Sequence, residues 1–461
     1  MMQTFKLLAF LWIAVLLTSC ATTGATSESD SASVEREYAA ALEGEQRRVS
    51  EPAPIASGED VQEVQEAQEA EKLGVHMGLA LGLGALNEVV KDQLQAELIG
   101  LIGGADGSFS IAGRQIPLGI DSDLVDLQIS PDDACQTCLR VSGKLAGKVD
   151  FDLPLTRGAS EDDYGSKFSL VAPLQFVRGA DGGALLRFDT AQIVRLGGLF
   201  VETKIEGLPS KVQPLLRKGL DKAFSEELLS NLEPIDLVTV PTLPLGIDGL
   251  EVLPSALSLE TETNTLFMGV ATNLAGIDGD IDGMARLGTG DAAAVGVHLQ
   301  VLAHALTLKM RNGEIARRYD LDGTANPEGS AHVVIRGLRA KPPSHPEAGS
   351  ELVLDFEIFN FGASGRTFRA PLSAHIRLPN GDEGAYVDRV ELSERDAAER
   401  GPSAVADWAY ADLLDSALEL VDQVTQTHGV DIASRNLFVG MHRVQVGTRS
   451  LTSFAGASDA P

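Results

Sequence analysis

Two cysteines three residues apart, in "SPDDACQTCLRV", are a spacing that can do chemistry. Cys135 and Cys138 can supply half a zinc site, a redox pair or a short disulfide loop. Zinc needs two more ligands, and the chain has no second Cys-x-x-C and no His-x-x-x-His. A redox pair opens a helix, which lowers the thiolate pKa, whereas this pair lies between two strand-like runs. A disulfide pinning a hairpin end in an oxidising compartment is the expectation. A second constellation, "GIDGDIDGMARLGTGD", sets Asp278, Asp280 and Asp282 before Gly283, like the opening of a calcium loop. Alternate carboxylates converge on a hard cation when the backbone curls at the glycine. The twelfth position is Thr289, not the bidentate Glu of an EF-hand, so an acidic linker stands beside the calcium reading. The eight histidines are scattered, with no His-Glu-x-x-His, Gly-x-Ser-x-Gly or glycine-rich phosphate loop of Walker form. The chain is read as a non-enzyme without a cofactor of its own.

The third cysteine is Cys20. It follows Lys6 and the apolar run "LLAFLWIAVLL", which is short for a bilayer span and fits the core of a secretory signal. Leu-Thr-Ser-Cys resembles the lipobox of bacterial lipoproteins, where cleavage precedes the cysteine and its thiol takes a diacylglycerol. The resemblance implies a signal peptide over 1–19 and lipidation of Cys20. Each acyl methylene adds about 0.8 kcal/mol to a membrane anchor that needs no spanning helix. Ala21, in place of Asp, implies an outer-membrane lipoprotein of the cell envelope, on its periplasmic or surface face. Residues 20–72 carry thirteen acidic and four basic side chains and few large apolar ones. They read as a disordered acidic tether, because so little apolar surface cannot offset the entropy of ordering.

The net charge of −29 makes nucleic acid an improbable partner and argues against broad contact with anionic headgroups. Beyond the tether the chain is long enough for two domains. A first helix is expected from "LGVHMGLALGLGALNEVVKDQLQAELIGLIGG", with Leu83, Leu86, Val90, Leu94, Leu98 and Leu101 on its apolar face and Leu79 near its start. Strands follow. "DLVDLQIS" sets Val125, Leu127 and Ile129 on one face, and "CLRVSGKLAGKVDFDLPL" does the same with Val141, Leu145, Val149 and Phe151. A second helix, "SKVQPLLRKGLDKAFSEELLSNL", carries Val212, Leu216, Leu220 and Phe224. The order of helix, strands, helix and strand then recurs, with a hairpin turn at Asn380-Gly381 and a helix in "SAVADWAYADLLDSALELVDQVTQ". "GDAAAVGVHLQVLAHALTLKM" reads as a helix whose first half also alternates like a strand.

This duplicated order resembles the tubular lipid-binding superfamily, in the two-domain arrangement of bactericidal/permeability-increasing protein. The features that carry it are the second helix running into "EPIDLVTVPTLPLG" and the strand "LEVLPSALSLETETNTLFMGVATNL". The resemblance implies an α+β fold of two consecutive domains, 73–274 and 275–457, each a twisted antiparallel sheet curled around long amphipathic helices. It also implies an elongated groove for phospholipid, fatty acid or another apolar ligand, lined by Leu79, Leu83, Leu86 and Val90, by Val141, Leu145, Val149 and Phe151, and by Val212, Leu216, Leu220 and Phe224. The acidic composition departs from the basic first domain of the immune members. A scaffold lipoprotein whose groove is filled by its own side chains is the alternative.

Overall fold

The structure, a computed structural model, describes residues 28–49, 74–84, 86–87, 106–111, 114–151, 160–178, 184–193, 195–197, 213–214, 218, 234–240, 247–277, 287–288, 290–341, 350–361, 367–378, 384–392, 411–425, 429–432, 435–438 and 441–456. In chain order these form helix α1 (Glu28–Arg48) and strands β1 (Met77–Gly82), β2 (Asp106–Ile111), β3 (Arg114–Pro131), β4 (Cys138–Phe151) and β5 (Ser160–Arg178). Next come β6 (Ala184–Phe188), β7 (Arg195–Gly197), β8 (Ile235–Val240), β9 (Val252–Glu260), β10 (Thr265–Thr272) and β11 (Asp291–His298). Helix α2 (Leu299–Asn312) precedes β12 (Arg318–Tyr319), β13 (Ala331–Lys341), β14 (Ser350–Asn360), β15 (Phe368–Leu378) and β16 (Tyr386–Leu392). The chain closes with α3 (Ala411–Thr425), β17 (Gly429–Ile432), β18 (Arg435–Phe438), β19 (Met441–Val446) and β20 (Ser450–Gly456).

Three larger antiparallel sheets result, strongly curled, with few helices among the described residues. The first has the order β2-β3-β4-β5-β6-β8, with β7 paired to β5. The second is the meander β12-β13-β14-β15-β16. Between them lies a central sheet, β19-β20-β11-β1-β10-β9, which takes strands from both halves of the sequence. Among the described residues the sheets carry more of this architecture than the helices: α2 spans 14 residues and the described part of α3 spans 15.

The first helix is corrected by β1. Leu79 stands in a strand, and helical residues begin only at Leu83. The apolar spacing misled because β1 pairs with β10 on one side and β11 on the other and is buried on both faces. A strand of that kind shows no alternation, so its periodicity cannot separate it from a buried helix. Gly78 and Gly82 weaken the helical alternative. The "GDAAAVGVHLQVL" stretch divides at His298, the last residue of β11. Its Nδ1 accepts the Gln300 amide at 3.1 Å and caps α2. That helix ends at Gly313, whose positive φ of 81° lets its N–H reach the Lys309 and Met310 carbonyls.

The tether expectation is corrected over α1. Its narrow stripe of Val34, Tyr38, Ala41 and Glu45 packs on the outer face of β13 and β14. The Tyr38 ring lies 4.7 Å from His332, 5.6 Å from Phe359 and 5.4 Å from Phe361, measured between centroids. Glu45, at 1% exposure, takes the Arg317 guanidinium at 2.7 Å. The stripe escapes a hydropathy reading because Val34 and Tyr38 are only half-buried, and of its two buried positions, Ala41 and Glu45, one is a carboxylate.

The inner face of the second sheet is filled by its own side chains. Val333, Leu354, Phe356, Ile358, Leu372 and Ile376 meet Leu302 and Leu306 of α2 and Leu413, Leu420 and Val424 of α3 in one core. Opposite charges ladder its outer face. Arg336 and Arg369 both hold Glu357, Arg339 holds Asp355, and His375 sits between Glu351 and Glu391. For Glu357, burial pushes the pKa up, but the bonds from Arg369 and Arg336 outweigh it and leave the carboxyl below its usual range.

Replacing Glu45 with Ala leaves Arg317 largely buried without its partner. The expected loss is about 3 kcal/mol by urea denaturation, with faster amide exchange across residues 28–49.

Candidate ligand-binding site

Three strands of the first sheet are unusually long. β3, β4 and β5 run 18, 14 and 19 residues, so β3 extends about 60 Å, far beyond the typical strand of about 20 Å. The register of β3 on β4 aligns apolar positions into a ladder, whereas β5 sets Ser160, Asp162 and Ser166 opposite Phe151, Val149 and Leu145. Leu118 is opposite Phe151, Ile120 opposite Val149, Leu124 opposite Leu145 and Ile129 opposite Val141. Val141 is in turn opposite Leu170, and Leu139 opposite Ala172. A bulge between Leu124 and Asp126 inserts Val125, which therefore leaves the apolar face and is 65% exposed. That corrects the simple alternation of Val125 with Leu127 and Ile129.

At the end nearest the central sheet this ladder joins the main core. Leu127, Ile129, Leu139, Val141, Leu170, Ala172 and Leu174 are buried there, in one cluster with Leu79, Leu83 and Leu86. The structure thus brings four of the expected groove residues together, namely Leu79, Leu83, Leu86 and Val141. Leu145, Val149 and Phe151 continue along β4, their side chains outside the described residues. Cys20, Val90, Val212, Leu216, Leu220, Phe224, Asp278, Asp280 and Asp282 also lie outside the described residues. Gln213, Pro214 and Lys218, within the expected second helix, are helical.

The β3–β4 turn is tied twice. Cys135 and Cys138 are bonded, 2.02 Å between sulfurs. Asp132 accepts the Ala134 amide at 2.9 Å and the Arg140 Nε at 2.7 Å. The Asn87 side chain accepts the Ile129 amide at 3.0 Å, fixing the helical segment after β1 against the long sheet. The Asp132–Arg140 and Asn87–Ile129 ties have no sequence signature, since their partners lie 8 and 42 residues apart.

A second feature was not foreseen from sequence. At the open edge of β13 a cavity of about 260 Å³ lies between the end of α1, the first turns of α2 and Gly276. β13 bulges here, leaving Arg336 without a counterpart on β14. Arg48 donates to the carbonyls of Ile335 and Arg336 at 3.4 and 3.3 Å, covering backbone that a bare edge strand would expose. Gly276 permits this approach, because a Cβ there would stand 2.5 Å from the Arg48 carbonyl oxygen. His304 lines the cavity, is 6% exposed, and its Nδ1 has no hydrogen-bond partner. Burial chiefly, with help from His76, Arg48, Arg311 and His298, lowers its pKa to about 4.

No protein-family model matches the chain. No curated protein matches it either. Among solved structures it is similar to the crystal structure of lipopolysaccharide binding protein, at 12% identity and a TM-score of 0.35, over 83% of this chain and 98% of that one.

The His304 shift has a consequence for pH. Unfolded, the imidazole titrates near 6.5, and folded near 4, so between these values the unfolded chain binds more protons. The stability from keeping His304 neutral is complete above about pH 6.5 and is lost as pH falls toward 4. Urea midpoints at pH 7 and pH 5 should therefore differ more for the wild type than for His304→Gln. Equal differences would contradict the assignment.

Proposed function

We propose that the chain is an outer-membrane-anchored envelope lipoprotein that holds lipid or another apolar ligand along the long sheet of its first half. The observation that supports this most is the in-register apolar ladder of β3 and β4, which β5 joins at Leu170 and Ala172. From Leu118 to Ile129 it runs about 37 Å, more than the roughly 15 Å hydrocarbon depth of one leaflet. Acyl chains laid along it would leave water at about 0.8 kcal/mol per buried methylene, and that desolvation is the whole mechanism. No residue is assigned to bond making. The lipobox-like Leu-Thr-Ser-Cys motif gives the anchor, and the first-half ladder gives the cargo surface.

A scaffold role is the second reading, and the second sheet favours it. Its inner face is packed with Leu352, Leu354, Ile358, Leu372 and Ile376, each at most 1% exposed. The groove is therefore assigned to the first half only.

Two measurements test these statements separately. Cys20→Ser should abolish incorporation of labelled palmitate and release the protein from the membrane fraction. For the groove, a phospholipid bearing a photoreactive acyl chain should cross-link to peptides of residues 114–151 and 160–178. Cross-links confined to residues 299–425, or none, would defeat the groove assignment while leaving the anchor intact.

A further inference from the structure

The cavity at the β13 edge is built from segments that the acyl-groove reading does not use. Val49, Ala303, Ile335 and Leu338 make one wall apolar. The other wall is rich in donors. His304 is more than nine-tenths buried, with Nδ1 unpartnered, and the Arg336 Nε is likewise buried without a partner. Burying such groups unbonded is costly, so a ligand that supplies acceptors makes the bonds that no protein group offers them.

The charge around the cavity has a definite sign. Arg48 spends two N–H groups on edge carbonyls, and it has no carboxylate at ion-pair distance among the described residues. Its pKa is depressed, by burial first and then by the neighbouring Arg336 guanidinium. The nearby carboxylates are already engaged. Glu45 accepts from Arg317, and Glu357 accepts from Arg336 and Arg369. The result is a local positive field in a chain of net charge −29. At about 260 Å³ the cavity is also larger than one of about 150 Å³ that holds benzene.

We propose that this cavity binds a short- to medium-chain monocarboxylate. Arg48 and His304 receive its carboxylate, and its hydrocarbon tail lies against Val49, Ala303, Ile335 and Leu338. A guanidinium is suited to a carboxylate because its planar donors meet both oxygens. Since Arg48 and Val49 belong to α1, ligand binding and the docking of that helix reinforce each other. The proposal does not depend on the groove of the first half.

Calorimetric titration of the full chain at pH 7 with octanoate, acetate, octanol and inorganic phosphate tests it. Octanoate is expected to bind one-to-one, and the other three at least about tenfold more weakly, since each lacks the tail or the carboxylate. Arg48→Gln should weaken octanoate by about tenfold. Ala303→Leu fills the cavity without touching its charges, and should melt no lower than wild type while weakening octanoate by a similar factor. Absence of octanoate binding overturns the proposal, as does phosphate or octanol binding as tightly as octanoate. Octanoate affinity unchanged in both variants also overturns it, by seating the ligand elsewhere, including the first-half groove.

Discussion

One strand of six residues ties the two halves together. β1 enters the central sheet between β10, which closes the first half, and β11, which opens the second. Met77, Leu79 and Leu81 on one face belong to the main core, while Ala80 on the other meets Ala294 and Phe454. A strand paired on both edges has its backbone groups satisfied by strands from both halves, so neither half can close its core without the other. The long first sheet and the α2–α3 layer of the second are positioned from this shared sheet. His76, just before β1, extends the joint: its Nδ1 accepts the Thr272 amide at 2.9 Å, and its carbonyl accepts the His298 amide at 2.9 Å.

From that joint the halves diverge in character. The second encloses a filled core and turns a laddered, ion-paired face outward, where α1 covers part of it. The first offers strands two to three times the usual length, with an apolar row that only partly belongs to the described core. Arg48 and the β13 bulge show how an exposed edge is managed: the bulge ends regular pairing, and a side chain from elsewhere takes the freed carbonyls. A cavity lined partly by polar groups is the by-product of that arrangement.

Much of this was legible in the sequence, and the failures have physical causes. Alternation located β4 and the meander because one face of each meets water or charge. It failed at β1, where both faces are buried, and at Val125, where a single inserted residue reversed the facing. Composition misread residues 28–48, because α1 is held by one tyrosine, an ion pair and a narrow stripe rather than by a broad apolar face. Cys135 and Cys138 were legible as a pair because both lie on one turn. The β13-edge cavity was not, since its walls come from positions 48, 276, 304 and 336, which no local pattern relates.

Everything proposed for the long sheet turns on whether the first half carries acyl chains. Native mass spectrometry of gently purified protein, truncated so that it begins after Cys20, tests it most directly. A lipid-carrying first half gives a species heavier than the polypeptide that sheds lipid masses on activation, with the same lipids in an organic extract. A single species at the bare polypeptide mass, and an extract free of lipid, would contradict it.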